Sequence, residues 1–142
     1  MTRRPDWPER LDRVVGVARH STFAWGRVDC CLFAADAVVA VTGMDPAAPW
    51  RGTYADARTA ARLLGRLGGL GGLGATAAGI ARRHGWPAVP PAFLGRGDVA
   101  LVRLDDGRPA LAVCLGTALV LPAERGLAKL ERDRARSGWR IG

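Results

Sequence analysis

A nucleophile is the first thing the residue types suggest. Cys30 opens a run to Thr42 in which Phe33, Ala34, Ala37, Val38 and Val41 recur at helical spacing. A cysteine in the first turn of a helix meets unpaired backbone N–H groups and the positive end of the helix dipole. Both favour the thiolate over the thiol. The same spacing turns Cys30 toward the buried face, as a nucleophile at the floor of a cleft requires. The competing reading is packing, because a free cysteine is a small apolar side chain that is commonly buried. Asp29, just before it, is suited either to assisting the thiol or to capping the helix.

The other candidates are fewer. His84 lies in Arg82-Arg83-His84-Gly85-Trp86 and His20 follows Arg19, both at expected helix ends, where the dipole favours a basic side chain. Either could fold back over Cys30 as a substitute base. Cys31 and Cys114 read as structural, the latter on a strand face shared with Ala110 and Ala112. That small-residue strip is expected to pack on the Cys30 helix. Three cysteines make no disulfide framework, and the Cys30–Cys31 pair lacks zinc-site spacing, so neither metal nor other cofactor is expected.

The elements that must position these residues fall into two halves. A first helix is expected from Trp7 to about His20, with Asp6 as cap, Pro8 in its first turn and Leu11, Val14, Val15 and Ala18 on one face. Ser21 to Asp29 reads as a loop carrying Phe23 and Trp25. Gly43 ends the second helix. Met44 to Thr53 is a connecting loop, and Tyr54–Leu67 and Ala75–His84 are further helices. Between those two, Gly68 to Gly74 reads as a flexible turn. After the Pro-rich stretch Trp86 to Pro91, strands are expected at Val99–Leu104, Leu111–Leu115 and Thr117–Leu121, the first two joined by Asp105-Asp106-Gly107. Gly126–Leu130 and Gly138–Ile141 could add two more. Helices first and strands second is the order of an α+β fold, here helices packed on a small antiparallel sheet as one domain over 1–142.

Composition narrows the functions. With 49% hydrophobic and 24% charged residues the chain has the make-up of a globular protein. The first 20 residues are broken by charges and do not read as a secretory signal, so synthesis in the cytoplasm is expected. No apolar stretch approaches a membrane span. The net charge of +8 comes almost wholly from arginine, Lys129 being the only lysine. A solvated basic surface accounts for it, and without a recognisable binding motif nucleic acid is not the expected partner.

The string Trp25-Gly26-Arg27-Val28-Asp29-Cys30 resembles the nucleophile motif of NlpC-type papain-like cysteine peptidases, in which Trp-Gly precedes Asp-Cys and a helix begins at the cysteine. Gly97-Asp98-Val99 is similar to the Gly-Asp that opens the first core strand of that family, and Ala110 to Gly116 to the second core strand. The resemblance implies a papain-like fold, Cys30 as nucleophile and Trp25 at the cleft. It also implies a base histidine where this chain has Ala110. Members of the family hydrolyse peptidoglycan stem peptides or serve in the tail tips of long-tailed phages. The chain is therefore expected to be a tail-tip or tail-assembly protein with lost or weakened catalysis, incorporated in a virion tail and bound to hub or baseplate subunits. An active peptidoglycan peptidase or amidase is the alternative, and a basic nucleic-acid-binding module the third reading.

Overall fold

The computed structural model describes residues 2–142. Four α-helices, α1 (Trp7–Arg19), α2 (Cys30–Thr42), α3 (Ala57–Gly68) and α4 (Gly72–His84), precede five strands, β1 (Val99–Arg103), β2 (Pro109–Cys114), β3 (Leu119–Pro122), β4 (Leu127–Leu130) and β5 (Ala135–Trp139). The strands form one antiparallel sheet in the order β4-β3-β2-β1-β5. The architecture is α+β, and no helix is long and apolar enough to cross a membrane among the described residues.

The helix ends show which local forces prevailed. Pro8 sits in the first turn of α1, but Asp6 does not cap it. Its backbone is not extended, and its carboxylate is held by Arg10 at 2.7 Å instead. Asp29 does cap α2, accepting the Leu32 N–H at 2.9 Å, and Gly43 closes the other end by donating its N–H to Val39. Helix α3 begins after Tyr54, not at it, because Asp56 and Thr59 form a reciprocal capping box that fixes the start at Ala57. The glycine run expected to be a flexible turn is instead one 3₁₀ turn, Gly69–Gly71, leading straight into α4. Its glycines serve packing: a Cβ on Gly68 would lie 2.4 Å from the Thr76 hydroxyl, so α3 and α4 approach closely only without one.

Helix α2 is the centre of the molecule. Beyond the expected face it also buries Leu32, Ala35 and Ala40, as a helix apolar all round must. Ala34, Val38 and Val41 share a core with Leu73 and Ala81 of α4 and with Val99, Leu111 and Trp139 of the sheet. Phe33 and Ala37 pack with α1 on Val113 and Val120. Leu32 and Ala35 pack with Tyr54, Ala60 and Leu63.

Strand alternation divides β2 between two cores. Leu111 and Val113 face α2, whereas Ala110, Ala112 and Cys114 belong to a core with Ala100, Val102, Leu119, Leu121 and Leu94. The small-residue strip therefore does not pack along α2, contrary to the sequence expectation; Cys30 alone of that helix reaches it. Arg132 closes this second core from above. Its guanidinium donates to the carbonyls of Gly116, Ala92 and Leu94 and to the Cys114 sulfur.

The two ends of the chain are tied to the start of β1. Asp98 is 1% exposed and receives Arg3 at 2.8 Å, together with the N–H groups of Gly95 and Ile141. Arg3 also donates to the carbonyls of Arg96 and Ile141 and stacks over Trp7 with 4.5 Å to the ring centroid.

Candidate functional site

The loop ahead of α2 is folded by its own chain and by Tyr54. Ala24 and Val28 form an isolated bridge, and the tight turn between them puts Gly26 at φ +79°. The Asp29 carboxylate sits under that turn with three donors: the N–H of Leu32, the N–H of Gly26 at 2.9 Å and the Tyr54 hydroxyl at 2.5 Å. Both oxygens are engaged, so Asp29 holds the turn and starts the helix. Burial and the adjacent carboxylate raise the Tyr54 phenol above its ordinary range, so it remains the donor in this pair.

A side chain at Gly26 has nowhere to go. A Cβ would lie 2.1 Å from the Tyr54 carbonyl oxygen, on a backbone where left-handed φ already disfavours L-residues. Gly26→Ala is expected to destabilise the fold by more than about 2 kcal/mol, since steric strain adds to the conformational penalty. Chemical denaturation of wild type and variant checks this, and a difference within about 0.5 kcal/mol, as at an ordinary surface site, would refute the geometry.

Cys30 is the first residue of α2 and half-buried. The Cys31 thiol donates to it, which is the main influence lowering its pKa below that of an ordinary thiol. Burial opposes this, the Leu111 N–H of β2 adds to it, and the Asp29 charge works against it. Cys31 is shifted the other way, well up, because it is the donor in the pair and is itself buried among protein. Both directions favour Cys30 as the more acidic of the two thiols. At the helix start the N–H groups of Cys30 and Cys31 have no backbone acceptor among the described residues, and the Cys30 N–H also helps lower the pKa of its own sulfur.

The sulfur opens on a cleft of about 690 Å³. Trp25, Arg108, Ala110 and Glu124 line it near Cys30, while Ala34, Val38 and Leu73 form part of its apolar walls. Trp25 is 38% exposed and held edge-on by Phe23, with ring centroids 5.1 Å apart. Sequence-singled Cys30, Asp29, Trp25 and Ala110 thus come to one cleft. Ala110 is buried in β2, next to the residue whose N–H reaches the Cys30 sulfur.

The histidines stay away. His84 ends α4 and stacks on Trp86 with centroids 4.6 Å apart, and His20 is exposed at the end of α1; neither lines the cleft. His84 is therefore not brought to Cys30 as a substitute base. Cys114 is fully buried and engaged by Arg132 and the Gly116 N–H, in keeping with a structural part. Among the described residues no three His, Cys, Asp or Glu side chains converge as metal ligands do.

Sequence reasoning misses the part played by Tyr54, the chain's single tyrosine, expected only as the start of a helix, and by Cys31, whose value as a thiol donor depends on the rotamers of two adjacent side chains. Chemically the site offers a stabilised thiolate, two backbone donors for a developing oxyanion and a large apolar cavity. No histidine lines the cleft to protonate an amine leaving group.

The molecule is thus an α+β domain in which a helix-start cysteine faces a five-stranded antiparallel sheet across a cleft. The family described as a domain of unknown function (DUF6950) matches residues 2–141, and the chain belongs to it. No curated protein and no solved structure matches the chain.

Proposed function

We propose that this is a papain-like protein of the NlpC type that has kept the nucleophile and cleft but lost the base. We further propose that it works as a tail-tip or tail-assembly protein of a long-tailed phage or related particle, bound to hub or baseplate subunits. The observation that carries the reading is the pairing of Cys30 at the start of α2 with β2, where Ala110 occupies the position at which the resemblance expects histidine. A peptidase must hand a proton to its leaving amine, and losing that role from a Cys–His pair removes orders of magnitude in rate. Helices preceding an antiparallel sheet, with Gly97-Asp98 leading into β1, are consistent with the same family.

Two measurements test it. Wild-type protein is expected to release no product from peptidoglycan stem peptides above the Cys30→Ala background, and turnover above that background would replace this reading with the peptidase. Purified particles that encode the protein should contain it, by mass spectrometry, together with tail subunits. Its absence from such particles would remove the tail assignment.

The peptidase reading keeps one observation in its favour, the stabilised thiolate. Iodoacetamide at pH 7 is expected to modify Cys30 at least about tenfold faster than Cys31 or Cys114, because the thiolate is the reacting form. Since the Cys30 pKa is lowered, its rate should climb with pH and level off below the pH at which an ordinary thiol, near about 8.5, does so. Peptide mapping of the alkylated cysteines reads both results. First modification at Cys31 would invert the assignment of the proton within the pair.

A further inference from the structure

The cleft is larger and more apolar than a surviving nucleophile alone requires. At about 690 Å³ it falls within the roughly 300–1,000 Å³ typical of small-molecule sites. Cys30, Ala34 and Val38 lie at i, i+4 and i+8 on α2 and all line it, so the cavity follows the helix for about 12 Å from the sulfur at about 1.5 Å per residue. Opposite them stand Leu73, Ala77 and Ile80 of α4. Trp86, also in its wall, is 5% exposed, yet its indole Nε1–H has no acceptor among the described residues.

The chemistry at the sulfur selects what that occupant can be. A thiolate with oxyanion donors but without a histidine to protonate the leaving group cannot readily expel an amine. It can expel another thiolate, which leaves as a stable anion without being protonated first. The ester class with that leaving group is the thioester, and an apolar cavity takes an apolar acyl chain.

We propose that the cleft binds acyl thioesters with medium-length apolar chains and that Cys30 accepts the acyl group. The Cys30 sulfur attacks the carbonyl carbon and forms a new carbon–sulfur bond. The oxyanion is met by the N–H groups of Cys30 and Cys31. The original carbon–sulfur bond then breaks, its electron pair leaves with the departing thiolate, and the proton given up by the Cys30 thiol is returned to that thiolate by solvent. No redox change occurs, and a thioester is exchanged for a thioester. With no histidine lining the cleft to activate water, the acyl group stays on Cys30 rather than being hydrolysed. The proposal rests on the reading of Cys30 as a nucleophile and is independent of the tail assignment.

The test uses the full chain with the acetyl and decanoyl thioesters of N-acetylcysteamine, followed by intact-mass and peptide mass spectrometry. Decanoyl transfer to Cys30 is expected to be at least about tenfold faster than acetyl transfer, because only the longer chain buries apolar surface in the cleft. The adduct should be a single acyl group, released by hydroxylamine and otherwise persistent over hours. Ala77→Phe, which fills the cavity from α4, should erase the chain-length preference. Iodoacetamide labelling of Cys30 runs in parallel. Equal rates for the two chains in the wild type, or an adduct on Cys31 or Cys114, overturns the proposal. Iodoacetamide labelling without acylation overturns it while leaving Cys30 a nucleophile; failure of both reactions overturns it together with the nucleophile reading.

Discussion

Ala110→His is expected to raise the rate at which Cys30 cleaves amide and ester bonds by about 10²–10⁴-fold, the usual contribution of a positioned general acid–base. Ala110 lines the cleft with Cys30 and belongs to the core against which Cys30 packs, so an imidazole at this strand position is introduced on the nucleophile's side of the sheet. Ala110 is buried, so the ring must displace neighbours and overpacking of about 1–3 kcal/mol is expected. The gain should carry a signature beyond its size. The rate should acquire an inflection near the histidine pKa of about 6.5, absent from wild type, and should vanish in the Cys30→Ala, Ala110→His double variant. Stem-peptide hydrolysis and an activated ester assay, with thermal melting to show that the variant folds, measure all three. A folded Ala110→His protein whose Cys30 reacts with an unchanged pH profile would mean that position 110 does not address the nucleophile, and the NlpC reading would lose its main support.

How far the site could be read from sequence depended on the separation of its parts. The start of α2 was legible because the signals are local: Asp29 three residues before the N–H it caps, an apolar helical spacing, and Gly43 at the far end. The arrival of α3 was misjudged because Tyr54 fits the apolar spacing of the helix that follows. The Asp56–Thr59 box decided the start instead, and it released Tyr54 to reach Asp29 across 25 residues of sequence. No periodicity records such a contact. The glycine run misled for a related reason. Its composition is that of a flexible turn, but Gly68 is small because Thr76 lies against it, which becomes visible only once α3 and α4 are packed.

The sheet shows the same division. Its first four strands, their order along the chain and the turn at Asp105-Asp106-Gly107 follow from local alternation and turn chemistry, whereas the last, expected at Gly138–Ile141, runs over Ala135–Trp139. Which face of β2 meets α2 does not, because alternation defines two faces without saying which one is covered by what. Ala110, Ala112 and Cys114 looked like a seat for α2; Leu111 and Val113 took that place, and the small residues went to the second core. That choice also places the Leu111 N–H at Cys30 while Ala110 lines the cleft. The strong positive charge separates likewise into structural and surface parts. Arg3 and Arg132 are consumed by the fold, whereas Arg58, Arg62 and Arg66 of α3 are exposed with no ion pair among the described residues.

Asp98→Ala is expected to destabilise the protein by about 3–5 kcal/mol, the range for removing one partner of a buried ion pair. The carboxylate is 1% exposed and serves four donors: Arg3 at 2.8 Å, the N–H groups of Gly95 and Ile141, and at the limit of 4.0 Å the Arg140 guanidinium. Alanine leaves two backbone donors unsatisfied and the half-buried Arg3 without its anion, and each loss carries its own desolvation penalty. At about 2–4 °C per kcal/mol for a chain near this size, the melting temperature should fall by about 10 °C or more. Asp98→Asn keeps one acceptor oxygen and should fall by less. Arg3→Ala should also fall by less, since Arg3 is 22% exposed and its removal leaves a carboxylate that still has Gly95 and Ile141. The ordering Asp98→Ala below Arg3→Ala is the sharper check, because a plain surface ion pair would give equal and small effects for both. The consequence extends to the cleft. Asp98 also accepts the Cys114 N–H through its carbonyl, and Gly97 donates to the Cys114 carbonyl, so the clasp fixes the end of β2 against β1. β2 carries Leu111 to the Cys30 sulfur, and loosening it should reduce the preference of iodoacetamide for Cys30 over Cys31 in the Asp98→Ala protein at temperatures where it is still folded. Retention of full preference alongside the stability loss would confine the clasp to holding the chain ends and detach it from the cleft.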